Sequence, residues 1–296
     1  MQQIADSLYM ITLPMPFRLE HVHVFVLIHD GKLALFDTGM NTPDTFSKLE
    51  ESLKHIGKSV HDIDKIFLTH YHTDHCGMAG RIKEISGASI HMSIIGSKII
   101  EIHKNEEILV NRIKDFYTEH GLSEKAIDTL ISFFRGFRKV TVPFQVDISL
   151  EPPHVMNLGS SVIEVLPTPG HTRGHVSYYF PKEGLLLSGD HVLPEITPNL
   201  SPDLFCPDFH PLESFLASLK MIENLPVVKV YPAHGDPFSN LKGRVEEIRE
   251  HHRERKDLTF DSIKRGPKTS FQASLDIFGH DLPDFDRFLA INETYV

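Results

Sequence analysis

Along the first forty positions the apolar residues fall in short runs broken by proline and glycine, which is a strand pattern. Leu8–Leu13, Val22–Ile28 and Lys32–Phe36 are the runs, separated by Pro14, Pro16 and the Asp30-Gly31 turn. The period then changes. Phe46, Leu49, Leu53 and Ile56 share one face of a helix that Thr42 caps, Pro43 starts and Gly57 ends. Ile66-Phe67-Leu68 predicts a short buried strand, a helix opens near Gly77 and closes by Gly87, and Ala88–Met92 predicts the next strand. Residues 97–140 interrupt this alternation with apolar positions at helical spacing, among them Ile99, Ile108, Ile113, Ile127, Leu130 and Phe134. They read as two or three helices inserted as a cap. Strands return at Ser161–Leu166, His175–Phe180 and Leu185–Ser188. Residues 191–210 form a proline-punctuated loop of the length that usually serves a site. A helix over Leu212–Leu225 and a strand over Val227–Tyr231 follow. From Asn240 the chain turns helical and highly charged, and 259–296 reads as short helices. The fold class is α/β. The shift near 240 divides the chain into 1–240 and an appendage, 241–296.

Charge and cysteine content narrow the setting. Thirty Lys and Arg against 40 Asp and Glu leave a net charge of −10, which opposes a polyanionic partner. Two cysteines, Cys76 and Cys206, allow at most one disulfide and suit a reducing cytoplasm. The opening residues carry Asp6 and no basic stretch, so they do not read as a signal peptide, and no apolar run approaches a membrane span. A homo-oligomer stays open. Histidine is the unusual component. Twenty His with two Cys point to metal chemistry built on imidazole and carboxylate.

The decisive segment is Thr69-His70-Tyr71-His72-Thr73-Asp74-His75-Cys76-Gly77. Four ligand-type side chains fall between a buried strand and a helix. In an extended loop His70 and His72 point the same way, so they can share an ion, while Asp74 and His75 sit where the chain turns and can serve a neighbouring one. Further candidates recur after other strands: His171 in Pro169-Gly170-His171-Thr172-Arg173-Gly174-His175, Asp190 in Ser188-Gly189-Asp190, and His234 in Tyr231-Pro232-Ala233-His234-Gly235. Ligands at several strand ends meet at one edge of a rigid scaffold.

H-x-H-x-D-H, G-H-T-x-G-H, S-G-D and P-x-H-G, in this order and preceded by Leu35-Phe36-Asp37-Thr38-Gly39, resemble the metallo-β-lactamase superfamily over about residues 8 to 240. The resemblance implies an αββα sandwich with metals at one edge, a glyoxalase II-like hydrolase, and two ions. It assigns His70, His72 and His171 to the first ion, Asp74, His75 and His234 to the second, and Asp190 to both. No ligand position is substituted. The donor set suits two divalent ions, Zn²⁺ first, with Fe or Mn as alternatives. Such a pair lowers the pKa of a shared water from 15.7 to about 7, giving a hydroxide that Asp74 orients for attack. Asp37 is expected to support a ligand histidine from behind, and His175 to be structural or supporting. The expected reaction is cleavage of a thioester or related acyl ester, with a small acyl substrate and neither nucleic acid nor membrane as partner. A phosphodiesterase or nuclease, or a lactonase, is the alternative on the same metals.

Other residues carry plainer expectations. His191 should point away from the ions. His21 and His23 read as polarity on one face of an edge strand. Phe116, Tyr117, Phe133, Phe134 and Phe137, with Phe205 and Phe209, are either the cap's own core or an apolar wall for an acyl chain. The appendage resembles a winged helix through Glu250-His251-His252-Arg253-Glu254-Arg255, Leu275 to Phe278 and Asn292-Glu293-Thr294.

Overall fold

The computed structural model describes residues 1–296 and stacks them in four layers. The first sheet holds β1 (Gln2–Ala5), β2 (Leu8–Pro14), β3 (His21–His29), β4 (Lys32–Phe36), β5 (Ile63–Phe67), β6 (Ser89–Ser93) and β7 (Ile148–Leu150), side by side in chain order. β1 to β4 form an antiparallel meander, while β4 to β7 are parallel neighbours. The second sheet holds β8 (His154–Leu158), β9 (Ser161–Pro167), β10 (Val176–Phe180), β11 (Leu185–Gly189) and β12 (Lys229–Pro232), antiparallel except for the parallel pair β11 and β12.

The strand period explains the layers. On β3, Val22, Val24 and Val26 face outward and are buried with Leu49 and Leu53 of α1 (Pro43–Lys54). Phe25 and Leu27 face the other way and join Val165, Tyr178, Phe180 and Leu187 of the second sheet. α2 (Thr73–Cys76) is a single turn, and α3 (Ala79–Ser86) adds Ile82 to the outer layer. On the far side Tyr179, Leu186 and Val230 meet Phe215, Leu219 and Ile222 of α7 (Pro211–Ile222) and Leu241, Val245 and Ile248 of α8 (Leu241–Ile263). This is the expected αββα sandwich.

The cap consists of α4 (Ile94–His103), α5 (Glu106–Glu119) and α6 (Glu124–Lys139), and it fills the connection from β6 to β7. Its core of Leu109, Ile113, Tyr117, Ile127, Leu130 and Ile131 also includes Ile291 of α10 (Asp284–Tyr295). α9 (Ser270–Phe278) contributes Phe271 to the same cluster. Residues 241–296 hold helices and no strand, so the likeness to a winged helix is confined to its helices.

Three strands escape the sequence pattern. β1 and β8 are mostly exposed or half-buried, and β7 buries only Leu150, so alternation is weak in each. The second helical segment begins at Thr73, ahead of Gly77, and is broken between α2 and α3. A Cβ at Gly77 would lie 2.4 Å from the Thr73 carbonyl oxygen and 2.9 Å from that of Gly39, so close backbone approach requires glycine there. Both cysteines are free thiols. No helix is long and apolar enough to cross a membrane.

Candidate metal centre

The loops leaving the C-terminal ends of β5, β9, β11 and β12 meet at one edge of the sandwich. His70, His72, His171 and Asp190 place one ligand-type atom each within 4.8 Å of one another, and Asp74, His75 and His234 do the same beside them. The Asp190 carboxylate touches both groups. Oδ2 lies 3.5 Å from His171 Nε2, 3.9 Å from His70 Nε2 and 3.4 Å from His75 Nε2, and Oδ1 lies 3.4 Å from His234 Nε2. Asp74 Oδ2 lies 3.3 Å from His234 Nε2 and 3.7 Å from His75 Nε2. All seven sequence-predicted ligands are therefore brought together, in the predicted two sets.

Four of the five rings are held from behind. His75 Nδ1 donates to Asp37 Oδ2 at 2.8 Å, His171 Nδ1 to the Asn199 carbonyl at 2.8 Å, and His234 Nδ1 to the His21 carbonyl at 2.8 Å. His70 Nδ1 donates to Thr69 Oγ1 at 3.0 Å, and that hydroxyl donates in turn to Asp37 Oδ2 at 2.8 Å. With Nδ1 so occupied, Nε2 presents a lone pair to the centre. His72 is reversed: its Nδ1 lies 3.0 Å from His171 Nε2.

These atoms fit metal ions. His70 Nε2, His75 Nε2, His234 Nε2 and Asp190 Oδ1 are buried and have no hydrogen-bond partner. Orphaned buried acceptors are costly, and so many in one cluster are reconciled by a shared cation. The local electrostatics agree. Burial together with neighbouring imidazoles, His75 foremost, drives the His70 pKa well down. Burial opposes charge on His75 too, but Asp190, Asp74 and Asp37 raise its pKa well above the usual value. Burial favours neutral Asp74, yet His75 and His234 hold its carboxyl near 2. The carboxylates thus draw positive charge to His75 and His234, a demand that bound cations would meet in place of protons.

Asp37 has the supporting place expected of it, accepting from Thr69 N and Thr69 Oγ1 at 2.8 Å each as well as from His75. His175 supports Asp190: the Asp190 backbone N–H donates to its Nε2 at 3.2 Å, and its Nδ1 donates to Thr168 Oγ1 at 2.8 Å. His191 is fully buried, has no partner for either nitrogen, and packs its ring 5.0 Å from Phe215, away from the ligand cluster.

One sequence expectation needs correction, and one open alternative is narrowed. His23 is not surface polarity: it is buried between Thr12 Oγ1 (3.1 Å) and the Gly235 carbonyl (3.0 Å), and His21 Nε2 accepts from Gly235 N at 3.3 Å. Together they clamp the loop carrying His234. Of the two readings of the cap aromatics, the packing of Phe116, Phe133 and Phe137 follows the first, an apolar cluster within the cap. Phe116 packs on Tyr117 and Tyr295 (5.0 Å each), and Phe133 and Phe137 pack on Phe285 at 5.6 and 6.1 Å, because α10 covers the apolar side of the cap. Phe205 does reach toward the centre, through a series of ring contacts to His103 (5.9 Å), Tyr71 (4.9 Å) and His72 (4.9 Å). Sequence reasoning also passed over Thr69, Asn199 and Ser201. Only Thr69, inside the histidine motif, carried a local signal.

Comparison with known proteins places this geometry. The model of the Metallo-beta-lactamase superfamily matches residues 18–234. The chain is 26% identical over 306 residues to the Bacillus subtilis (strain 168) protein named Probable metallo-hydrolase YqjP, covering 98% of this chain and 90% of that one. A metallo-beta-lactamase family protein of Thermus thermophilus superposes with a TM-score of 0.87 at 27% identity, over 99% of this chain and 92% of that one. A hydroxyacylglutathione hydrolase of Bartonella henselae is 28% identical over 165 residues, 56% of this chain and 46% of the relative.

Proposed function

This chain belongs to the metallo-beta-lactamase superfamily and is a hydrolase with a candidate metal site, and on that premise we propose that it cleaves thioesters or related acyl esters with two bound divalent ions, Zn²⁺ first. The observation that carries the dinuclear reading is the Asp190 carboxylate set between two groups of ligand-type side chains, with the inward Nε2 atoms of His70, His75 and His234 left without a hydrogen-bond partner. His70, His72, His171 and Asp190 would hold one ion, and Asp74, His75, His234 and Asp190 the other. Bound there, the ions supply Lewis acidity and a nucleophilic water at neutral pH.

The chain's own groups do the rest. Asp74, kept ionised and half-exposed at the rim, accepts a hydrogen bond from the attacking water at Oδ2 and orients it. His72 and His171 are also only partly buried, which favours approach of the substrate from their side. Asp37 fixes the tautomer of His75 directly and that of His70 through Thr69. A thioester suits such a site because its thiolate leaves readily and its carbonyl is the one oxygen to polarise. The partial match to a hydroxyacylglutathione hydrolase supports the same class.

Electrostatics favours a small substrate over nucleic acid. The arginines of α8 are neutralised in place: Arg244 by Glu247 (2.8 Å), Arg249 by Glu223 (2.5 Å), Arg255 by Glu293 (3.0 Å), and Arg253 by Glu250. A phosphate track needs several free cations. The test compares kcat/KM for an acyl-CoA and an acyl-glutathione, read by thiol release, with single-stranded RNA and a phosphodiester at matched metal and about 0.1 M salt. The thioesters should be turned over preferentially. Efficient RNA cleavage that falls on Arg253 and Arg255 substitution would replace this reading with a nuclease.

A further inference from the structure

His171 differs from the other ligand histidines in what stands behind it. Its anchor is the backbone carbonyl of Asn199, in the segment between β11 and α7, which has no helix or strand of its own. A carbonyl on such a segment is only as fixed as the residues that pin it. Here the pins come from the far end of the chain. Asn199 Nδ2 donates to the Leu289 carbonyl of α10 at 3.2 Å, and Asn199 Oδ1 accepts from Ser201 Oγ at 2.9 Å. Ser201 Oγ in turn accepts from Asn292 Nδ2 at 3.0 Å. Asn292 is completely buried, and its Oδ1 accepts from the Tyr117 hydroxyl of the cap at 2.6 Å. An unbroken series of hydrogen bonds thus runs from the cap through α10 to a metal-ligand ring.

We infer that Asn292 and Ser201 are positioning residues, through which the C-terminal helix and the cap set the orientation of His171. The inference rests on the metal-centre reading and extends it to Asn292, which lies beyond the stretch, 18–234, that matches the family. The physical reason is that a buried asparagine satisfied on both faces has one orientation. Asn292 has its acceptor filled by Tyr117 and a donor filled by Ser201, so it cannot turn without orphaning groups on both elements. Ser201 then holds Asn199, and Asn199 decides where the His171 Nδ1–H points. His70 has no such dependence, since its anchor is its own neighbour Thr69. His75 is anchored by Asp37 and His234 by His21, also outside the series. The relay should therefore act on one ion of the two.

The test uses Co²⁺ as the probe in the full chain, because its visible bands report ligand geometry. Binding isotherms and spectra are recorded for the wild type, for His171→Ala as the reference loss of the first ion, and for Asn292→Ala, Ser201→Ala and Tyr117→Phe, with thermal melts of the metal-free proteins. Removing a partner behind a metal ligand typically weakens binding about 10- to 100-fold. Asn292→Ala and Ser201→Ala should weaken by that factor the same Co²⁺ equivalent that His171→Ala abolishes, shift its bands, and leave the other equivalent as in wild type. Tyr117→Phe, one step further out, should do the same more weakly. Ser201→Ala removes a single oxygen from a half-exposed residue, so it keeps the test alive if Asn292→Ala does not fold. Equal weakening of both equivalents, or a lower melting temperature with both affinities and bands intact, would overturn the relay. Failure of the wild type to bind Co²⁺ at all would instead overturn the metal-centre reading beneath it.

Discussion

Asp37→Asn is the most discriminating substitution that the centre offers. Asp37 has a φ of +56°, a left-handed conformation that asparagine tolerates better than other non-glycine residues, so the backbone need not move. What changes is one acceptor. The retained oxygen can still take the Thr69 N–H, but the introduced amide nitrogen then faces Thr69 Oγ1 and His75 Nδ1, both of which donate to the carboxylate. His75 has two choices. It can flip its tautomer and accept at Nδ1, which places a proton on Nε2 and removes it as a ligand. Alternatively it keeps its tautomer with two donors face to face, leaving a buried group unsatisfied at about 1–3 kcal/mol. At 1.4 kcal/mol per decade, that is roughly 5- to 150-fold in affinity for the ion His75 would hold. The first ion should suffer less, because Thr69 Oγ1 can accept from His70 Nδ1 and from the new amide together, leaving only its own proton unplaced. Chelator competition with Zn²⁺, one equivalent at a time, reads both numbers, and a melt of the metal-free protein checks that the fold survives. Two unchanged affinities would refute the tautomer argument, as would weakening of the first ion alone.

Asp190→Ala should cost at least one metal equivalent and upward of about a hundredfold in activity, since two close cations lose their shared carboxylate; His191→Phe should keep both ions, with a stability change below about 1.5 kcal/mol in urea melts. Gly170→Ala should destabilise by about 3 kcal/mol or more, because the new Cβ would stand 2.4 Å from Phe215 Cβ at a φ of +144°, and a melt close to wild type would contradict that packing. Burial lowers the pKa of His91 and of His252 from 6.5 to about 4, so the unfolded chain takes up these protons first. Their contribution to stability is whole above pH 6.5 and is lost as pH falls toward 4, which urea midpoints across that window should trace and a flat profile would deny.

The candidate ligand set was legible because its members lie beside glycine and proline at strand ends, where a polar residue following an apolar run has few structural reasons to be there. Asp37, buried at the end of β4, was legible for the same cause. The groups that orient the ligands were much less so. The carbonyls of Asn199 and His21 have no side-chain signature, and Asn292 lies more than a hundred residues from the ring it serves. The aromatic face of α6 shows a related limit: its spacing announced burial but not the partner, which for Phe133 and Phe137 is Phe285 of α10. β7 and β8 were missed because edge strands that bury little leave little alternation to see.

The parallel pairing of β6 with β7 has a consequence for how this hydrolase can change. Two adjacent parallel strands cannot be joined by a tight turn; the chain must travel back along the full strand length, in a dozen residues or more. The three cap helices are that return journey, enlarged. Closing a longer flexible excursion costs only about 0.6 kcal/mol per doubling in length, so the strand order and the ligand edge are nearly indifferent to its size. The excursion can be lengthened, shortened or resurfaced while its two ends stay fixed at Ser93 and Ile148. In this chain that freedom has been partly surrendered, because the crossover now shares a core with the last helix and any rebuilt version must still present that helix with a matching face.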